Sequence, residues 1–143
     1  MKEIEKYLPQ REPFLFVDKI LSASLEEIVA VKTYDEAFIF VQKDQSGSKY
    51  VPLPILFETV VQAGGAGINM LQIGEGHVFA LAAVKTANMH NFLHIPSTVT
   101  MKINTVKAQG KVLRQKGSVW SGENLVLEAE WSCMFLFERG YSQ

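Results

Sequence analysis

The chain has 143 residues, 48% hydrophobic and 20% charged, which fits a single domain over 1–143 with one core. Fourteen Lys and Arg against fifteen Asp and Glu leave a net charge of -1, and that balance argues against a nucleic-acid binder held by a basic surface. The longest apolar run is broken by Glu58, Gln62 and Asn69, and the opening MKEIEKYLPQ lacks the basic-then-apolar order of a signal peptide, so no membrane span and a cytoplasmic location are expected.

Met1 to Tyr7 mixes Ile4 with charged residues and reads as a short amphipathic helix ending before Pro9. Pro13 to Leu21 is rich in strand formers, and Glu27 to Thr33 is a second candidate strand across a short turn. Phe38 and Phe40 alternate in the segment that follows. Gln42 to Lys49 is wholly polar and reads as a loop closed by Tyr50.

Pro52 to Gln72 then reads as one long helix. Pro54 suits a first helical turn because its missing N–H would have had no intrahelical partner there. Glu58, Gln62, Gly65, Asn69 and Gln72 recur at alternating steps of four and three, which sets them along one side of the helix. Such a stripe is commonly a solvent face. This one carries a single charge, and the segment holds three closely spaced glycines, each costing about 1 kcal/mol of helix stability relative to alanine. The glycines predict close approach of other backbone, hence a helix buried on a sheet with Glu58 facing a cleft.

After the helix, Gly74-Glu75-Gly76 marks a turn and His77 to Lys85 is apolar enough for a central strand. Ser97 to Val106 alternates cleanly, with Val99, Met101 and Ile103 on one side. Lys111 to Trp120 and Leu125 to Phe137 follow, separated by Ser121-Gly122-Glu123-Asn124. The order of elements predicts an α+β fold with a helix on one face of a highly curved antiparallel sheet. The single Cys133 reads as buried packing; it excludes an internal disulfide, and neither a metal site nor a cofactor is expected.

Three stretches carry a resemblance. Leu8 to Ile20 is similar to the opening LPHRYPFLLVDRVL of the hot-dog-fold 3-hydroxyacyl-acyl-carrier-protein dehydratases (the FabZ/FabA-like family). Pro52 to Gly65 resembles that family's MPGVLIIEALAQAAG, and Phe92 to Pro96 its RFRRPV. The resemblance implies a curved antiparallel sheet wrapped around a long central helix, with two chains pairing edge to edge to build two substrate tunnels. It implies one histidine and one glutamate per site. The histidine, from a G-H-F-P-G motif, takes a proton beside the thioester carbonyl, and the glutamate helps expel the hydroxyl.

Glu58 matches the glutamate and is the expected catalytic residue; Gln62, Pro54, Ile55 and His90 are expected beside the bound acyl-carrier-protein or coenzyme A thioester. The motif is missing. Fourteen residues before Glu58 stands Asp44, and no histidine occurs between Met1 and Met70. A carboxylate on a polar loop is a weaker base than imidazole near neutral pH, and loss of a positioned base costs about 10²- to 10⁴-fold in rate. His90 is the better candidate substitute; His77 is expected at the surface and His94 in the strand-like stretch beside the helix. Lys111, Arg114 and Lys116 fit either an acidic carrier protein or ordinary solvated charge, and Tyr50, Phe38 and Phe40 either an acyl tunnel or core.

The expected function is an acyl-thioester protein of fatty-acid or polyketide-type synthesis, impaired as a dehydratase on its own. It is expected to pair with itself or with a related, active hot-dog subunit. Two other readings use the same residues: an acyl thioesterase in which Glu58 activates water, and a non-catalytic acyl-binding module. Burial in an apolar tunnel is expected to raise the Glu58 pKa.

Overall fold

A computed structural model describes residues 2–71 and 78–136. The expected turn Gly74-Glu75-Gly76, exposed His77, Gln72 and the final strand residue Phe137 lie outside the described residues. A 3₁₀ turn over Glu3–Lys6 buries Ile4, in place of the short amphipathic helix. The strands are β1 (Lys19–Ala23), β2 (Ile28–Tyr34), β3 (Gln42–Lys43), β4 (Lys49–Tyr50), β5 (Val78–Met89), β6 (Ser97–Gln109), β7 (Val112–Ser121) and β8 (Asn124–Leu136), with the helix α1 (Leu53–Met70) between β4 and β5.

Six strands form one antiparallel sheet in the order β1-β2-β6-β7-β8-β5, and β3-β4 is a separate hairpin. The α1 helix packs against all six strands of the large sheet. This is the expected hot-dog arrangement.

Period-two alternation decides which strand side chains face the helix. Val99, Met101 and Ile103 of β6 are buried, as are Leu127, Ala129, Trp131, Cys133 and Phe135 of β8. Leu56, Val60, Ala63, Ala66 and Ile68 supply the helix side of the core. The glycines bring side chains close, where backbone was expected. A Cβ at Gly67 would lie 2.6 Å from Ile28 side-chain atoms, and one at Gly64 would overlap the amide oxygen of Gln115, a buried β7 residue.

Two strand expectations need correction. Residues 13–17 are not a strand; β1 starts only at Lys19. Their backbone groups are met by a helix side chain, since Gln62 Oε1 accepts from the Phe16 N–H at 2.8 Å and Gln62 Nε2 donates to the Phe14 carbonyl at 3.0 Å. The strand after the helix lies at the sheet edge, not its centre, and runs on to Met89. Part of its apolar surface is therefore not covered by the described residues: Leu81 and Val84 are about half exposed, at 45% and 49%. The polar stretch before the helix, expected as a loop, closes into the β3–β4 hairpin with Gly47 at φ +87°, a conformation glycine adopts without steric cost.

Candidate functional site

The polar stripe on α1 forms one wall of a small cavity of about 70 Å³. Glu58, Gln62, Gly65 and Asn69 line it from the helix, Leu8, Pro9 and Gln10 from the N-terminal segment, and Phe79, Leu81 and Cys133 from β5 and β8. A stripe spaced four and three residues apart thus faces a cleft, as its composition predicted. Burial pushes the Glu58 carboxyl above its ordinary value, also as expected. Burial, with the Glu58 charge adding to it, pushes the Cys133 thiol up to about 11, so the buried cysteine is not a ready nucleophile.

Gln62 spends both ends of its amide on residues 14 and 16, so at this wall it supplies shape. Asn69 Nδ2 donates to the Tyr7 carbonyl at 2.8 Å, and its Oδ1 is buried without a partner among the described residues. Gln10 Oε1 is buried and unpartnered in the same way. Of these groups Gln62 and Asn69 had a signal in the sequence, through their place in the stripe.

Pro54 and Ile55 lie on a second, larger cavity of about 660 Å³ at the start of α1. Phe40, Tyr50, Met89 and Phe92 complete much of its apolar wall. Tyr50 and Phe92 pack with ring centroids 4.9 Å apart, and Phe40 stacks on Phe14 at 5.6 Å. Phe38 instead meets the buried Tyr34 ring edge-on at 4.7 Å and belongs with the core packing.

Asp44 is committed to the hairpin. Its Oδ1 accepts from Ser46 N at 2.9 Å, Ser46 Oγ at 2.6 Å and Ser48 N at 3.0 Å. Its Oδ2 meets His94 Nε2 at 3.0 Å. The hydrogen bonds from Ser46 and then His94 hold its carboxyl down at about 2. His90 Nε2 sits 3.0 Å from Glu128 Oε1 and does not line the Glu58 cavity. Nothing in the sequence pairs positions 44 and 94; the hairpin brings them together. Arg114 and Lys116 are exposed on β7, and Lys116 lines a polar cleft on the sheet with Glu128 and Glu130. Among the described residues, no group of three His, Cys, Asp or Glu side chains is placed to hold a metal ion, and no helix is long and apolar enough to cross a membrane.

No family model matches the chain. It is 27% identical over 129 residues to the 3-hydroxyacyl-acyl-carrier-protein dehydratase FabZ of Syntrophobacter fumaroxidans, covering 90% of this chain and 88% of that one. It is 26% identical over 130 residues to the FabZ of Desulforamulus reducens, covering 89% and 90%. Among solved structures, the dehydratase heterocomplex ApeI:P of Xenorhabdus doucetiae matches with TM-score 0.81 at 14% identity, over 98% of this chain and 95% of that one. A hypothetical thioesterase with coenzyme A from Streptococcus pneumoniae matches with TM-score 0.64 at 14% identity, over 85% and 87%. The chain is thus FabZ-like in sequence over about nine-tenths of its length and shares the hot-dog fold of these structures, without the G-H-F-P-G histidine motif.

Proposed function

We propose that this chain binds acyl thioesters of an acyl carrier protein or coenzyme A in fatty-acid or polyketide-type synthesis, with Glu58 as its catalytic group, and that alone it is impaired as a 3-hydroxyacyl-thioester dehydratase. The carrying observation is a contrast between two carboxyls. Glu58 faces a cavity, and burial raises its pKa, the direction that favours the protonated form a general acid needs. Asp44, fourteen residues earlier where the base is expected, is held at about 2 and bound into a hairpin, so it takes up protons poorly. Pro54 and Ile55 form the acyl wall and Gln62 shapes the wall beside Glu58, whereas His90, paired with Glu128, lines neither cavity.

A second hot-dog chain completes the site. The twelve-residue edge strand β5, whose Leu81 also lines the Glu58 cavity, supports pairing along that edge. One structural neighbour is named as a dehydratase heterocomplex, which supports a related, histidine-bearing subunit as partner; a second copy of this chain is the other occupant. A hydrolytic reading has one observation in its favour: the cavity beside Glu58 has room for water.

The test is turnover of 3-hydroxyacyl and saturated acyl thioesters by wild type and Glu58→Gln, following enoyl formation and thiol release. Slow enoyl formation that depends on Glu58 and rises on adding a histidine-bearing subunit is expected. Glu58-dependent thiol release would replace the dehydratase with a thioesterase, and binding without turnover by any combination would leave an acyl-binding module.

A further inference from the structure

The motif histidine is absent, yet the structure sets an imidazole on the residue that stands in its place. His94 Nε2 lies 3.0 Å from Asp44 Oδ2. The backbone around His94 is fixed: Tyr50 and His94 form a β-bridge, Val51 N donates to the Leu93 carbonyl at 2.9 Å, and Ile95 N donates to the Lys49 carbonyl at 3.1 Å. Ser97 Oγ donates to the His94 carbonyl at 2.6 Å.

The ring is also at the acyl cavity's rim. Its centroid is 6.3 Å from those of Tyr50 and Phe92, and both of these line the cavity that holds Pro54 and Ile55. The imidazole is about half exposed, at 46%, so a thioester can reach it. An ionised Asp44 makes Nε2 the protonated nitrogen, which leaves the Nδ1 lone pair free to accept; Nδ1 has no hydrogen bond to a described residue.

We propose that His94, with Asp44 as its positioning residue, is this chain's own proton acceptor at the carbon beside the thioester carbonyl. The proposal rests on the thioester-binding reading above and supplies the base that reading lacks. In the step, the C2–H bond breaks and its proton passes to Nδ1. The electron pair forms the C2–C3 double bond as the C3–O bond breaks, and the hydroxyl leaves as water with a proton from Glu58. The imidazolium then gives its proton to solvent and the Glu58 carboxylate takes one from solvent, which restores both groups. A half-exposed base beside a hairpin is poorly desolvated, which agrees with slow turnover.

The step can be read without elimination. Exchange of the C2 hydrogens of a saturated acyl-pantetheine thioester in D₂O, above the rate without protein, needs the base and no leaving group, and mass spectrometry counts the deuterium. Wild type is expected to accelerate exchange. Loss of the imidazole in His94→Ala should lower it about 10²-fold or more, and added free imidazole should restore part of the loss. Asp44→Asn keeps an amide oxygen for Ser46 and Ser48 but turns an N–H toward Nε2, so the protonated nitrogen becomes Nδ1. Exchange kcat should fall while KM holds. Wild-type exchange rates in either variant, a His94→Ala loss that imidazole does not rescue in a folded, thioester-binding protein, or a wild type that binds thioester without exchanging it would overturn the proposal. Absence of thioester binding by titration would overturn the underlying functional reading as well, and so separates the two failures.

Discussion

Gln62 and Phe16 are joined across forty-six residues of chain by a 2.8 Å hydrogen bond from the Phe16 N–H to the Gln62 amide oxygen. The other end of the same amide holds the Phe14 carbonyl at 3.0 Å. One helix side chain thus does for residues 14–16 what a neighbouring strand would otherwise do, and so secures the segment that carries Gln10 to the Glu58 cavity.

Removing that amide leaves a backbone donor and acceptor without partners, at a cost of about 1–3 kcal/mol for each group that stays buried. Gln62→Leu is expected to lose about 2–4 kcal/mol in denaturant unfolding. Gln62→Glu, which keeps an acceptor for the Phe16 N–H, should lose less. A Gln62→Leu stability within about 0.5 kcal/mol of wild type would show that water meets these groups.

Alanine usually stabilises a helix relative to glycine by about 1 kcal/mol. At Gly67 the new Cβ would stand 2.6 Å from Ile28, so overpacking of about 1–3 kcal/mol should exceed that gain and Gly67→Ala should unfold at lower denaturant. At Gly65 the nearest atom is 3.3 Å away, on the Phe79 ring, and the same change should be nearly neutral. Equal effects at the two positions would refute this account.

Glu58 titrates higher in the folded chain than an ordinary glutamate, because burial disfavours its charge. Between those two values the folded state binds more protons than the unfolded state, so stability falls as pH rises through the interval. Glu58→Gln should therefore be more stable than wild type at neutral pH, with the difference vanishing below about pH 4. Denaturant curves across pH 3–8 measure it directly.

The single cysteine reports on the same cavity. Cys133 is held up at about 11 by burial first and by the Glu58 charge second. Removing the charge in Glu58→Gln should lower the thiol pKa and speed alkylation by iodoacetamide at pH 8. Bound thioester should slow that alkylation, since Cys133 and Glu58 line one space. Alkylation unchanged by Glu58→Gln would mean that the two groups do not feel each other.

Pairing along β5 rests on an exposed edge with Leu81 and Val84 on it. Leu81→Lys places a charge there and is expected to shift the chain toward monomer in sedimentation while far-UV circular dichroism stays native. A wild type that sediments as a monomer at every concentration and with every related subunit would remove this interface.

The sequence by itself determined the elements whose signal is local. Strict alternation at Val99, Met101 and Ile103 marked the buried side of β6, and the stripe of Glu58, Gln62, Gly65 and Asn69 marked one face of α1 as a cavity wall. Both follow from the fixed periods of strand and helix, which need no partner to be read. Tertiary structure alone decided whether an apolar strand lies at the sheet's centre or its edge, because hydropathy records that β5 needs cover and not which chain provides it. It likewise decided that residues 14–16 lean on Gln62, and that Asp44 meets His94 fifty residues away. Such contacts depend on where the chain returns in space, and no spacing along the sequence encodes that return.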